Sequence, residues 1–297
     1  MNVYLSDNGK DLLPGDLVLR WVARSDLAPV PRTVEMALRL KDDIEAHFAV
    51  GKVFYTGREM LPYEVVKSHR KMANGVQGGD SLGVLEVTAL LHSCARVSYR
   101  ADHAVISRSA RLGDVYRACG ATARIADDFI VRSFACLAGD VPSVWLAVAM
   151  QEEGSCLVMR DGQLKITRLQ DLFRQTPVDE IDATDTTDKI DSEFLERHEI
   201  PAFFSLDAAG GIVAGDFRVT RQRMFMPRSD ERVLNNATRV LVTRRVVPSV
   251  LAEQINAGDL LRVNGANYAV ITAAHWMEQN EGITETGSKF WVGDLSV

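Results

Sequence analysis

The segment "TVEMALRL", residues 33–40, sets Val34, Met36, Leu38 and Leu40 on one face, with Thr33, Glu35 and Arg39 opposite. A period of two marks a strand with one face buried. Runs of similar size, rich in β-branched and aromatic residues, occur at 17–24, 52–60, 63–69 and 82–91. Between the last two, "KMANGVQGGD" reads as a glycine-rich polar loop. Several short strands at close spacing predict a small antiparallel β-barrel or sandwich.

The period then changes. In "SARLGDVYRACGA", Leu112, Val115, Tyr116 and Cys119 fall at i, i+3, i+4 and i+7, the stripe of an amphipathic helix. Ser109 is the expected cap at its start, and Gly120 the expected left-handed residue at its end. "VPSVWLAVAMQEEG", residues 141–154, predicts a second helix, with Pro142 in its first turn and Gly154 just past its last. "SCLVMRDGQLKITRL" predicts a hairpin, because Asp161-Gly162 suits the positive φ angles of a type I′ turn. Leu157, Met159, Leu164 and Ile166 would then cover one helix face.

Residues 176–193 hold seven acidic side chains against one lysine, the pattern of a solvated linker. A calcium loop would need a D-x-[DN]-x-[DN]-G run closed by Glu, which is absent. Strand patterns return at 239–247, 259–276 and 289–297, with Asn264-Gly265 as a tight turn. The expected fold class is α+β, mainly β: two small antiparallel β-barrel domains joined by an α+β domain. The boundaries are a first barrel-like domain over 1–102 and an α+β domain over 103–175. An acidic linker and connecting segment over 176–215 lead to a second barrel-like domain over 216–297.

Composition adds limits. With 297 residues, 46% of them hydrophobic, the chain can bury a core of about two domains. A net charge of −6 argues against holding nucleic acid by phosphate neutralisation. Cys94, Cys119, Cys136 and Cys156 show no CxxC spacing and read as buried reduced thiols. The N-terminus lacks a secretory pattern and no run reaches about 18 apolar residues, so the expected product is made in the cytoplasm, without stable membrane insertion.

Candidate chemistry is sparse. His47, His69, His92, His103, His198 and His275 stand singly, and no Walker A or GxGxxG motif occurs. "AAGGIVAGD", residues 208–216, reads as a turn between strands. Glu152 and Glu153 are the one adjacent carboxylate pair that invites an acid/base reading. Neighbours on a helix point about 100° apart, so the two hardly converge on one bond, whereas glycosidase carboxylates face each other across about 5–10 Å. Negative charge is also unfavourable at a helix C-terminus, which points to a basic partner or to a solvated end, the latter the simpler reading. No catalytic, cofactor-binding or metal residue is assigned, and the chain is expected not to be an enzyme.

The middle segment "SARLGDVYRACGA…GDVPSVWLAVAMQEEGSCLVMRDGQLKITRLQDLF" resembles the hub proteins of bacteriophage tail baseplates. These include the late control D proteins and the N-terminal part of type VI secretion spike proteins. The resemblance rests on Leu112 to Asp114, Gly139 to Ser143, Glu153-Gly154, Asp161-Gly162 and Leu169 to Leu172. It covers about seventy residues and implies two similar small β-barrels per chain and a homotrimer. Such a trimer would adapt a sixfold tail tube to a threefold central spike. The implied partners are the tail tube protein, the central spike protein, and the tape-measure and baseplate wedge proteins. DNA would pass through the lumen without specific binding, and the chain would reside at the virion tail tip. No spike, lysozyme domain or β-helical repeat follows the second β-rich segment, so the puncturing device is expected on another polypeptide. The alternative within the same class is another tail-tip ring or secretion-spike component, and the enzyme alternative is a tail-tip peptidoglycan hydrolase using Glu152 or Glu153 as acid.

Overall fold

The alternation in the first hundred residues forms six strands: β1 (Val3–Tyr4), β2 (Val18–Asp26), β3 (Arg32–Arg39), β4 (Val53–Thr56), β5 (Leu61–Gln77) and β6 (Asp80–Leu91). They come from a computed structural model that describes residues 2–41, 44–77, 80–182, 188–189, 200–215, 221–227, 230–280 and 283–296. In β3, Val34, Met36 and Leu38 are buried while Glu35 and Arg39 face out, as the period of two requires. The strands pair antiparallel in the order β1-β4-β5-β6-β3-β2. The short helix α1 (Ile44–His47) brings Ile44 and the following Phe48 into this core.

Two expectations fail here. "KMANGVQGGD" is largely ladder: Lys71 pairs with Val84 and Gln77 with Asp80, across a register shift between Met72 and Val76. Ladder bonds use only backbone groups, so a polar, glycine-rich sequence can continue a hairpin already begun. The run at 52–60 also splits, because Gly57 (φ 81°) and Met60 (φ 49°) turn the chain from β4 into β5.

A short helix α2 (His92–Ala95) leads to β7 (Val105–Arg111), α3 (Leu112–Ala118), β8 (Ile125–Asp127), β9 (Ile130–Cys136), α4 (Pro142–Glu152), β10 (Ser155–Arg160) and β11 (Gln163–Arg168). The α3 stripe is buried as the spacing predicts, and Gly120 (φ 99°) closes it. Ser109 does not cap it. That residue lies in β7, and the helix begins three residues later with no side-chain cap at Arg111. The Asp128 carboxylate takes the free N–H of Gly113 instead, at 3.1 and 3.0 Å. Asp161 (φ 51°) and Gly162 (φ 69°) form the expected turn, with Leu157 opposite Ile166 and Met159 opposite Leu164. These four share a core with Leu146, Ala149 and Met150 of α4.

The last part contains β12 (Asp179–Ile181), β13 (Asp188–Lys189), β14 (Ala202–Leu206), β15 (Ile212–Ala214), β16 (Arg223–Phe225), β17 (Leu241–Ser249), β18 (Leu260–Val263), β19 (Ala266–Asn280) and β20 (Ile283–Leu295). Asn264 and Gly265 turn β18 into β19 with positive φ at both residues. Inside the expected acidic linker, β12 pairs with β18 and β13 with β17, so these pieces belong to the sheet. The remainder of that acidic run, 183–187 and 190–193, lies outside the described residues. A helix, Glu231–Thr238, which the sequence periodicity does not predict, lies within the span assigned to the second barrel-like domain.

Among the described residues no sheet closes into a barrel, unlike the two closed units expected. A single twelve-stranded sheet runs through both β-rich parts. Its join is β19, whose first four residues pair with β18 and whose residues from Thr272 to Glu278 pair with β2. The β2 edge, which would otherwise present unpaired backbone groups, is satisfied by a strand from the far end of the chain.

Candidate functional site

The carboxylate pair singled out in the sequence ends α4, and the two members part company. Glu153 is 4% exposed, just before Gly154 at φ 58°. Its carboxylate grips Arg232 of the Glu231–Thr238 helix bidentately, with Nη1 to Oε2 at 2.6 Å and Nη2 to Oε1 at 3.0 Å. Arg168, at the end of β11, donates to Oε2 at 3.1 Å and also to the Glu153 carbonyl oxygen. The Arg168 guanidinium lies 4.1 Å over the Phe129 ring, a cation–π contact that fixes its plane. Glu152 is partly exposed, and its carbonyl accepts from Asn236 Nδ2 at 3.1 Å.

The surroundings explain why this charge is buried. The last carbonyls of a helix lack partners and disfavour negative charge. Here Asn236 meets one such carbonyl, Gln151 Nε2 reaches the Ala237 carbonyl at 3.3 Å, and two guanidiniums offset the carboxylate. The bond to Glu153 also pushes the Arg232 guanidinium pKa up. A solvated end is therefore the wrong reading of Glu153, and the basic partner is real. With both oxygens committed to guanidinium donors, the carboxylate is arranged as a clamp between elements. An adjoining cleft of about 370 Å³ is lined by Arg168, Arg174, Arg232 and Arg239.

No family model matches the chain, and no curated protein matches it by sequence. Solved structures do. A tail protein from Neisseria meningitidis MC58 aligns with a TM-score of 0.64 at 10% identity, over 93% of this chain and 92% of that one. The 43 kDa tail protein of prophage MuSo2 from Shewanella oneidensis aligns at 0.62 and 11% identity, over 98% and 97%. The chain has the fold of bacteriophage tail proteins. The tail-protein fold is shared, at a TM-score of 0.56 and 8% identity, by the E. coli c3393 protein, over 94% of this chain and 74% of that one. That protein is a component of the type VI secretion system and is structurally similar to the T4 tail proteins gp27 and gp5.

Within this tail-protein fold the remaining candidates are dispersed. His275 is buried, His92 pairs with Glu64 at 2.9 Å, and His47, His69 and His103 are exposed. His198 lies outside the described residues. All four cysteines are buried and free, and burial pushes the Cys119 and Cys156 thiols up to about 12. Among the described residues no cluster of His, Cys, Asp or Glu could hold a metal, and no helix is long and apolar enough to cross a membrane. The "AAGGIVAGD" glycines begin in the turn between β14 and β15, where Asp207 Oδ1 accepts from Ala209 and Gly211 N–H. Sequence reasoning missed Arg168 and Arg232. The signal for the second was Asp230, which caps its helix by accepting from Val233 N–H at 2.9 Å.

Proposed function

We propose that this chain is a structural component of a phage tail tip: a trimeric hub adapting a sixfold tail tube to a threefold central spike. The observation carrying this reading is the β2–β19 pairing, which holds two β-rich parts side by side in one chain. Three such chains supply six β-rich parts around an axis, and the proposal treats them as the barrel-like units of a hub.

The outer face of α4 supports the same reading. Leu146, Ala149 and Met150 pack inward, while Val144, Trp145 and Val148 face out, with Trp145 still 41% exposed. Asp140 accepts from both the Leu137 N–H and the Trp145 indole, adding exposed Leu137 to this surface. A helix apolar on all sides is characteristic of a buried one. A neighbouring copy, related by rotation in a closed ring, would cover this face. In this reading the chain catalyses no reaction. Its neighbours are the tube, spike, tape-measure and baseplate wedge proteins, and DNA crosses its lumen without specific binding.

Light scattering of the purified chain, alone and with the spike protein, tests the assignment. A trimer is expected in at least one condition. Trp145→Glu combined with Val148→Glu is expected to leave a folded monomer with little change in melting temperature. A wild-type chain that stays monomeric in both conditions overturns the hub reading, and cell-wall cleavage by the pure chain overturns the non-enzymatic one.

A further inference from the structure

A cavity of about 390 Å³ opens where the first β-rich part, the tip of the β10–β11 hairpin and the loop before β18 come together. That volume lies within the roughly 300–1,000 Å³ of small-ligand clefts. Trp21 and Tyr63 provide aromatic wall, and Arg32 and Asn256 bring polar groups to it from opposite ends of the sequence.

Neither polar group is fully used by the protein. Among the described residues Arg32 has no ion pair, and its Nε is buried without a hydrogen-bond partner. Asn256 Nδ2 donates to the Gln254 carbonyl at 3.1 Å, which leaves Oδ1 as the free end, buried and also unpartnered. A buried group left unpaired costs about 1–3 kcal/mol, and native interiors rarely leave one. Here an unused donor and an unused acceptor belong to residues lining one space.

His275 is not a second cation for that space. Its Nε2 faces the Ile255 carbonyl at 3.1 Å and must carry the proton. Its Nδ1 then accepts from Ser288 Oγ at 2.8 Å, and Ser288 Oγ itself accepts from Ala252 N–H. At the mouth, exposed Glu59 and Asp161 and half-buried Glu253 outnumber Arg58. An acidic rim opposes polyanions such as nucleic acid, while a guanidinium fork matches the two oxygens of a single carboxylate.

We infer that this cavity binds a carboxylate with an adjacent N–H donor, the group found in a free amino acid and at the C-terminal end of a polypeptide. The carboxylate pairs with Arg32, and the neighbouring N–H donates to Asn256 Oδ1. The site rests on the cavity alone and does not depend on the hub assignment.

Calorimetric titration of the full chain tests it with N-acetylglycine, N-acetylglycinamide, glycine and inorganic phosphate. Saturable binding of N-acetylglycine is expected, with none of its amide or of phosphate. Glycine binding more tightly than N-acetylglycine identifies the source as free amino acids, and the reverse order identifies a chain terminus. Arg32→Gln is expected to weaken binding about tenfold or more, the worth of a charge-assisted pair. Asn256→Leu, which keeps the side chain's size and removes the acceptor, reads the same site should Arg32→Gln fail to fold. Arg108→Gln, at an exposed position outside the cavity, is expected to change nothing. Absence of saturation with both glycine and N-acetylglycine, equal binding of the amide, or full binding by folded Asn256→Leu overturns the inference.

Discussion

Removing the Glu153 carboxylate leaves Arg168 and Arg232 facing each other at the foot of α4 without their counter-charge. Breaking a buried pair costs about 3–5 kcal/mol, and the discount for half-exposed arginines brings Glu153→Gln to about 2 kcal/mol. Urea unfolding checks this, and an unchanged midpoint would show that the clamp adds nothing. His275 sets a second residue-scale expectation. Burial lowers its pKa from 6.5 to about 4, so between these values the unfolded chain binds a proton that the folded chain does not. Stability therefore falls as pH drops from 6.5 towards 4, by about 3 kcal/mol from this group, and is fully present above 6.5. His275→Gln is expected to flatten that slope in unfolding midpoints measured across the window. Neither arrangement was legible in the sequence. The dipole argument left a basic partner near Glu153 open but favoured a solvated end, because Arg232 lies 79 residues on and only the tertiary fold supplies it.

At the scale of elements, helix α3 owes its start to a side chain beyond its own end. Asp128 holds the Gly113 N–H through either oxygen, so Asp128→Ala is expected to cost about 1 kcal/mol and Asp128→Asn much less. Thermal melts of the two variants distinguish a cap from a charge effect, since only the cap survives in asparagine. Local signals fixed most elements well. Period-two alternation found β3, the 3.6 period found α3, Pro142 and Gly154 bounded α4, and Asp161-Gly162 and Asn264-Gly265 placed two turns. What failed was non-local. Ser109 resembled a cap but sits in β7 at φ 48°, and the true cap comes from the segment before β9. The Glu231–Thr238 helix hid behind the brevity of its apolar stripe, Val233, Leu234 and Ala237.

Over the whole molecule, the class α+β, mainly β, could be read from periodicity, but the sheet order could not. Nothing in the residues of β2 says that its neighbour will be β19, because strand patterns report a buried face and not the identity of the strand beside it. That neighbour ties the two β-rich parts together, as do the Ala257 N–H to Ser25 Oγ bond at 2.9 Å and the Thr272 Oγ1 to Asp26 bond at 2.6 Å. One cooperative unfolding transition, coincident by circular dichroism and tryptophan fluorescence, is the expected behaviour. Two separated transitions would mean that the join is weak. The same join has a consequence during synthesis. The β2 strand leaves the ribosome early, yet the strand that seals its edge is completed only at Asn280. At about 5–20 residues per second, that edge waits roughly tens of seconds for its partner. The nascent chain must pass through this interval with a template for aggregation exposed, so slowing translation late in the message should lower the yield of soluble protein more than slowing it early.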